Sequence, residues 1–454
     1  MVPSTGVRNN IRCNFWCMPV VLSIAGSDSI GGAGVQADIK ALSSLGVHAT
    51  TVITCVTSQN TTKVSAIFPL PVEHVLSQLE AVLTDAKISS IKMGMLYSQE
   101  IASAVAARLR PERLPLVVDP VLAAGVGDSL HTHGLLRTLK EEVFPLAWII
   151  TPNRYEAEAL LGKKIRNLTE ARRACHSLME MGPRSVLLKG GHFTGKKVVD
   201  LLCIEGEIKE IKATRLEVRP HGSGCNLSSY IAGHLALGLG LEEAVVASRA
   251  LIQDALSAAY SVGQGLKVLD SLSSLKREAL RYQTLVQLKE GVDALIPKLE
   301  RRWIPEVGMN FAYALPRARY IEDVVAIEGR IVASGDKARR CGCLAFGASR
   351  HMAKVVLAAM SYDPCMRSAL NLRYSKENLN RLKELGLTSS AFDRSEEPDG
   401  VSTMDWGTRK AIESHGAIPD IIYDLGGIGK EPMIRILGRD PMDVIDKISG
   451  IWLR

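Results

Sequence analysis

The sequence predicts an α/β protein of two successive domains, and three observations carry that prediction. Short apolar runs alternate with helical patterns over residues 20–188, as in a parallel sheet covered on both faces. At 454 residues the chain is too long for one ordinary core. A charged helical stretch, 273–296, then separates this alternation from a second block with apolar runs of its own.

Residues 20–25 read as a buried strand, 26–34 as a glycine-rich turn and 35–45 as a helix. Strand 50–56, helix 72–83, strand 88–93 and helix 99–109 come next; strands 116–118 and 147–150, helices 154–161 and 168–181, and strand 185–188 follow. Polar and glycine clusters fall at the carboxyl ends of these strands, among them Ser58-Gln59-Asn60, Met93-Gly94-Met95, Asp119-Pro120, Thr151-Pro152-Asn153 and Lys189-Gly190-Gly191. Open parallel sheets bind ligands at that edge, so the convergence points to an active site. A strand-like run, 216–219, leads into His221-Gly222-Ser223-Gly224-Cys225 and an apolar helix over 227–239. The two glycines let the amides of Ser223, Gly224 and Cys225 point into one concavity at a helix N-terminus, which suits an anion. Taken alone, the same residues also suit a tight turn with a packed cysteine.

The net charge of +7 is spread among acidic residues, with no basic stripe carrying interleaved aromatics, so anionic small molecules are expected as partners and nucleic acid is not. Nine scattered cysteines, several inside apolar runs, fit free thiols in a reducing cytoplasm. Cys341-Gly342-Cys343 lacks a second pair at metal-ligand spacing. No apolar run reaches the ~18 residues of a membrane span, so no membrane association is expected, and 1–18 reads as a disordered tail.

The segments VLSIAGSDSIGGAGVQADIKAL, VITCVTSQNT, KMGML, VVDPV, TPNRYEAEAL, VLLKGGH and HGSGCNLSSYIAGHLA resemble, in this order, those of the hydroxymethylpyrimidine kinase and phosphomethylpyrimidine kinase family, a branch of the ribokinase-like fold, over 19–265. The resemblance implies two successive ATP-dependent phosphorylations of 4-amino-5-hydroxymethyl-2-methylpyrimidine, with Mg²⁺ as cofactor. It sets Gln59 against the pyrimidine nitrogens, where an amide offers donor and acceptor together, and puts Gly26, Ala33, Asp38, Met95 and Val121 at other substrate positions. It assigns Asp119, Asn153 and Glu156 to Mg²⁺ and phosphate, Asp119 and Glu156 holding the ion partly through water. Lys189 matches the lysine that meets the transferring phosphate; Gly222 and Gly224 shape the anion hole. Cys225 stands where other ribokinase-like enzymes carry an aspartate base. A thiol at a helix N-terminus is expected to have a lowered pKa and to take the hydroxyl proton in the first transfer. The second transfer has an anionic nucleophile and needs no base. Ile30, Ser223, Asn226 and Gly125-Val126 depart from the family pattern, the last pair in a lid.

Residues 266–303 read as an amphipathic helical connector with Leu275, Leu280, Leu285, Leu288, Val292 and Leu295 on its apolar side and a stop at Pro297. Over 304–454, EVGMNFAYALPRA, DVVAIEGRIV, LAFGASRHMAKVVLAAM, SALNLRYSKE, AFDRSEEP, IPDIIYDLGGIGKEPMIRILG and DPMDVIDKI resemble the thiamine-phosphate synthase domain found fused to such kinases. That implies an α/β/α sandwich resembling class II aldolases, with a mixed, largely antiparallel sheet. It also implies coupling of the pyrimidine diphosphate to 4-methyl-5-(2-phosphoethyl)thiazole. Ser349 reads as the N-cap of a helix opening with Arg350 and His351. Arg330 and His351 fall on positions associated with synthase activity, and Asn310, Arg373, Asp393 and Lys430 are further substrate-binding candidates. The histidines form no metal-ligand cluster, so the aldolase zinc is not expected. A homodimer is. Two other readings stay open: a pyridoxal kinase in the first domain, and a non-catalytic sensor of thiamine phosphates in the second.

Overall fold

The computed structural model describes residues 18–123, 130–193, 195–218, 220–335, 337–398, 400–427 and 429–452. The chain divides into two compact units, Met1–Leu275 and Lys276–Arg454. The lid pair Gly125-Val126 lies outside the described residues.

The first unit is built on nine strands: β1 (Val20–Asp28), β2 (His48–Gln59), β3 (Val64–Pro69), β4 (Ile88–Met93), β5 (Leu116–Val118), β6 (Ile149–Ile150), β7 (Ser185–Leu188), β8 (Lys197–Ile204) and β9 (Glu207–Thr214). Their order is β3-β2-β1-β4-β5-β6-β7-β8-β9. The six central strands run parallel, β3 is antiparallel at one edge, and β8 and β9 are antiparallel at the other. The helices are α1 (Gly34–Ser44), α2 (Val72–Asp85), α3 (Gln99–Leu109), α4 (Leu135–Thr138), α5 (Arg154–Leu161), α6 (Leu168–Met179), α7 (Ser223–Ala236) and α8 (Leu241–Ser257). Alternate residues of each strand feed opposite faces. Val21 packs with Leu42, Ile231 and Ile252, while Leu22 packs with Leu79, Val105 and Leu178.

The edge strands escaped the sequence reading because β9 alternates charged residues on a half-exposed ribbon and β3 is short, largely exposed and ends at a proline, so partner pairing makes both of them strands. Residues 216–218 form no strand. The backbone pairs a little later, where the His221 amide donates to the Lys267 carbonyl at 2.8 Å. Helix α7 starts at Ser223, a turn earlier than its apolar pattern, because Gly222 at φ +85° turns the chain straight into the first helical turn.

The second unit carries β10 (Phe311–Ala314), β11 (Val324–Ile327), β12 (Arg330–Ser334), β13 (Lys337–Cys341), β14 (Leu344–Phe346), β15 (Ser368–Arg373), β16 (Ser389–Ala391), β17 (Ile421–Asp424) and β18 (Met433–Gly438). Seven form a sheet in the order β14-β11-β10-β15-β18-β17-β16, and β12 and β13 form a separate hairpin. Only β16 and β17 pair in parallel among the described strands of that sheet. Its helices are α9 (Ser273–Leu295), α10 (Arg350–Met360), α11 (Lys376–Glu384), α12 (Thr403–His415) and α13 (Pro441–Ile448). Phe311 and Tyr313 face α9, α11 and α13, whereas Ala312 and Ala314 face α10 and α12, which makes three layers.

The 266–303 segment is therefore not a uniform connector. Leu288, Val292 and Leu295 are fully buried in the core of the second unit, while Leu275 and Leu280 are exposed. The leucine pattern suggested one continuous apolar stripe, yet only its C-terminal half has a sheet to cover.

Candidate active sites

At the carboxyl edge of the parallel strands, the N-terminus of α7 meets a lysine and two carboxylates. A Cβ built on Gly224 would lie 3.0 Å from the Lys189 ammonium and 3.3 Å from Asp119 Oδ2, so only glycine lets the helix amides come this close. Lys189 Nζ donates to Asp119 Oδ1 at 2.7 Å and stands 3.8 Å from Glu156 Oε2. Thr151 Oγ1 donates to the same Asp119 oxygen at 3.0 Å. Asn153 caps α5, accepting from the amides of Tyr155 and Glu156, and Glu156 accepts from the Asn153 amide at 2.7 Å. Burial, with Asp119 adding to it against the pull of Lys189, pushes the Glu156 carboxyl up to about 7. Burial works against the Lys189 ammonium, but Asp119 and Glu156 outweigh it and hold its pKa above the ordinary lysine value.

Cys225 lies in this first turn of α7 and is half-buried. Its thiol corrects the sequence expectation. Burial pushes it up to about 11, more than the Lys92 ammonium and the Gly34 amide draw it down, with Asp119 and Asp38 also opposing ionisation. The helix N-terminus is there, but desolvation wins.

The glycine loop 26–34 is folded around Asp28, which the sequence reading passed over. Its carboxylate accepts from the amides of Ile30, Gly32 and Ala33 at 3.2, 2.9 and 2.8 Å, and lies 2.9 Å from His221 Nε2. Burial opposes its ionisation, but His221 and these amides prevail and hold the Asp28 carboxyl below its usual range. Gln59 Nε2 also stands 2.9 Å from His221 Nε2, so Gln59, His221 and the loop form one wall. Gly26 completes it from the other side: a Cβ there would fall 2.8 Å from Cys55 Sγ and 3.2 Å from Met95 Sδ. Met95 and Val121 pack with Cys55 in a small apolar cluster, a surface suited to the face of a flat ring. The motif Gly-Ser-Asp-Ser before the glycines was the available signal for Asp28.

Asp38 does not face this pocket. It is fully buried, as is Lys92, whose ammonium donates to both carboxylate oxygens at 2.9 and 2.8 Å. Ser23 and Ser229 donate to the same carboxylate at 2.6 and 2.7 Å. The residue is a counter-ion tying β1, α1, β4 and α7 together, because an ammonium at this depth needs a fixed partner.

In the second unit, Arg350, His351, Lys354, Arg394, Thr403 and Lys430 line a cleft of about 360 Å³ at the N-terminus of α10. Ser349 caps that helix, accepting from the Met352 amide. Desolvation, then the guanidinia of Arg435, Arg394 and Arg330, hold the His351 imidazole well below its ordinary pKa, although the residue keeps an exposed face. His351 is thus neutral near pH 7. Arg330 is exposed at the start of β12 and donates to the Gly329 carbonyl at 2.7 Å. Arg330 is not among the lining residues, though its charge acts on His351, and three further sequence candidates fall elsewhere. Asn310 is buried, donating to the carbonyls of Ile327 and Gly329 and accepting from the Ile327 amide, so its amide is spent on the fold. Arg373 lies 3.7 Å from Glu306, outside the cleft lining. Asp393 is exposed and caps a short helix at Ser395; its neighbour Arg394 is the cleft residue. A larger groove, about 680 Å³, opens at the other ends of α10 and α12, and its lining carries no cation. Among the described residues no cluster of His, Cys, Asp and Glu could hold a metal ion by itself. No described helix is long and apolar enough to cross a membrane.

A parallel-sheet edge with a glycine loop, a helix N-terminus and a lysine set among carboxylates defines a phosphate-transferring enzyme as the class of the first unit. The phosphomethylpyrimidine kinase family model matches residues 28–270, and the model of thiamine-phosphate synthase ThiN matches 287–449. The chain is 34% identical over 434 residues to the bifunctional thiamine biosynthesis protein ThiDN of Methanocaldococcus jannaschii, covering 95% of this chain and 98% of that one. It is 42% identical over 250 residues to a hydroxymethylpyrimidine/phosphomethylpyrimidine kinase of Rhizobium meliloti, covering 54% and 94%. Among solved structures, the ADP complex of Bacillus subtilis pyridoxal kinase matches with a TM-score of 0.54 at 27% identity, covering 57% of this chain and all of that one. The chain belongs to the family of bifunctional thiamine biosynthesis proteins in which a phosphomethylpyrimidine kinase is joined to a ThiN-type synthase.

Proposed function

We propose that the first unit phosphorylates 4-amino-5-hydroxymethyl-2-methylpyrimidine twice at the expense of ATP, and that the second couples the resulting diphosphate to 4-methyl-5-(2-phosphoethyl)thiazole. The observation that carries the reading is the close approach of the α7 N-terminus to the Asp119–Lys189 pair, which turns helix amides and an ammonium toward one point, the donors a transferring phosphoryl group needs. The pyrimidine ring stacks on the Met95 and Val121 surface beside Gly26 and Ala33, with Gln59 at its nitrogens. Lys189 and the amides of Gly222 to Cys225 take the charge that spreads over the equatorial oxygens. Cys225 accepts the hydroxyl proton in the first transfer; its raised pKa means that only a small thiolate fraction serves at neutral pH. The monophosphate brings its own anionic oxygen to the second transfer.

The donor set fits Mg²⁺ only as a partly hydrated ion, because Asp119 and Glu156 supply two carboxylates and Asp119 Oδ1 is engaged by Lys189 and Thr151. When bound with the nucleotide, the ion would neutralise phosphate charge. Asp119 and Glu156 would hold it partly through water, and Asn153 fixes Glu156 through the α5 cap.

In the second unit, the bond between the pyrimidine methylene and the diphosphate oxygen breaks with both electrons leaving on pyrophosphate. The thiazole nitrogen lone pair forms the new C–N bond. His351, neutral, hydrogen-bonds substrate, and Arg330 and Lys430 take phosphate oxygens. Higher identity to pyrimidine kinases than to the pyridoxal kinase favours the pyrimidine. We further propose a cytoplasmic homodimer, which sedimentation would test. Incubating the protein with the hydroxymethylpyrimidine, ATP, Mg²⁺ and thiazole phosphate should yield thiamine phosphate; pyrimidine diphosphate without thiamine phosphate would leave only the kinase reading standing.

A further inference from the structure

Under the cleft of the second unit lies a buried charge arrangement that the synthase reading does not use. Asp424 and Arg435 are both fully buried. Asp424 accepts from Arg394 Nε at 2.6 Å and Nη2 at 3.1 Å, a fork on a carboxylate, and from Arg435 Nη1 at 2.8 Å. One carboxylate therefore serves two guanidinia. Arg435 Nε and Nη2 have no hydrogen-bond partner, an expensive state for a buried cation. Its charge falls on His351, which lines the cleft above. Arg350, Lys354 and Lys430 line the same cleft without an ion pair among the described residues, and no described carboxylate lines it. Arg435 is fully buried and Arg394 nearly so, while Arg350 and Lys430 are exposed at the cleft rim; a buried cation short of partners beneath a cleft lined by cations is balanced where an anionic ligand of more than one charge binds.

We propose that Arg394, oriented by Asp424 and backed by Arg435, grips the diphosphate group of the pyrimidine substrate and the pyrophosphate that leaves. The proposal rests on the synthase reading of this unit and adds to it a residue that binds the leaving group. Asp424 takes two of the Arg394 N–H groups and thereby sets the plane of the guanidinium, so the remaining donors present an edge to the cleft rather than sweeping through solvent. Asp424 and Arg435 are positioning residues, and Arg394 is the one that touches substrate. A guanidinium here outperforms an ammonium, because two parallel hydrogen bonds to adjacent oxygens fix the leaving group as well as stabilise it.

The test uses the full chain with supplied pyrimidine diphosphate and thiazole phosphate, and inorganic pyrophosphate as probe. Arg394→Ala should raise the KM for the diphosphate and the inhibition constant of pyrophosphate together, by about tenfold or more, the size of a charge-assisted hydrogen bond. The KM for thiazole phosphate should move by less than about twofold, and phosphorylation by the first unit should be unchanged. Asp424→Asn should shift the same two constants in the same direction with little change in kcat. Arg394→Lys, which keeps charge and disturbs folding least, should fall between wild type and alanine. Unchanged pyrophosphate inhibition in Arg394→Ala and Arg394→Lys overturns the proposal, as does a rise confined to the thiazole phosphate KM. If the wild-type protein makes no thiamine phosphate, the synthase reading fails separately. Calorimetry with inorganic pyrophosphate then decides this one: binding lost in Arg394→Ala sustains it, and no binding to the wild type ends it.

Discussion

At the scale of single residues, surroundings rather than identity set the chemistry. The Cys225 thiol is pushed up to about 11 from an ordinary value near 9.0, so its thiolate fraction grows about tenfold per pH unit throughout the range below that value. Phosphorylation of the alcohol should therefore accelerate between pH 7 and 9, while phosphorylation of the monophosphate stays nearly flat. Cys225→Ala should remove that slope and slow the first step by about 10²; a wild-type rate flat in pH for both steps would reduce Cys225 to shaping the anion hole. Gln59→Leu keeps size but leaves pyrimidine polar atoms unpaired, so kcat/KM for the hydroxymethylpyrimidine should fall by an amount worth about 1–3 kcal/mol with ATP affinity preserved. Wild-type efficiency in that variant would move the ring elsewhere. For His351 the sign is the reverse of an anion-binding imidazolium: its pKa is depressed, so the ring is neutral above its ordinary value and across it. The coupling rate should accordingly show no decline as pH rises through about 6.5. His351→Ala and Arg330→Ala should block thiamine phosphate formation while pyrimidine diphosphate accumulates at the normal rate, and coupling at the wild-type rate in the double variant would place the synthase chemistry elsewhere.

At the scale of elements, the buried Lys92–Asp38 pair fixes α7 against the sheet. Burial alone would strip the Lys92 proton, but Asp38 keeps the ammonium charged. Asp38→Asn leaves a cation with no exposed surface facing an amide, and should cost about 3–5 kcal/mol in urea unfolding. Replacing both partners with apolar residues of similar size should recover much of that loss. A stability within about 0.5 kcal/mol of wild type in Asp38→Asn would mean that the Lys92 charge does not depend on the Asp38 carboxylate.

At the scale of the whole molecule, the division at Leu275 and Lys276 places α9 in the second unit. A piece starting at residue 304 lacks Leu288, Val292 and Leu295, each worth about 1.5–3 kcal/mol when buried. It should aggregate or melt without cooperativity, whereas one starting at 276 should unfold in a single transition. Cooperative unfolding of the shorter piece would show that α9 is an ornament of the sheet rather than part of its core.

What the sequence determined by itself is what local pattern encodes: the parallel alternation, the strand ends that carry Gln59, Asp119, Asn153 and Lys189, and the capped start of α10 at Arg350. Each depends on short-range periodicity or turn chemistry, and each is legible without a third dimension. Only the tertiary structure decided the rest. Asp28 and Asp38 lie ten residues apart, one in the glycine-rich turn and one in the helix after it, and neither pattern names its partner: one gathers the glycine loop and the other is sealed against Lys92, because the sheet brings Lys92 under the second and His221 beside the first. Asn310 and Asp393 were chosen over Arg394 because polar residues in a motif look alike until their hydrogen bonds are counted. The Cys225 helix N-terminus was visible in sequence, but the burial that overrides it was not, since desolvation is summed over neighbours from β1, β4, β5 and α1 that only folding assembles.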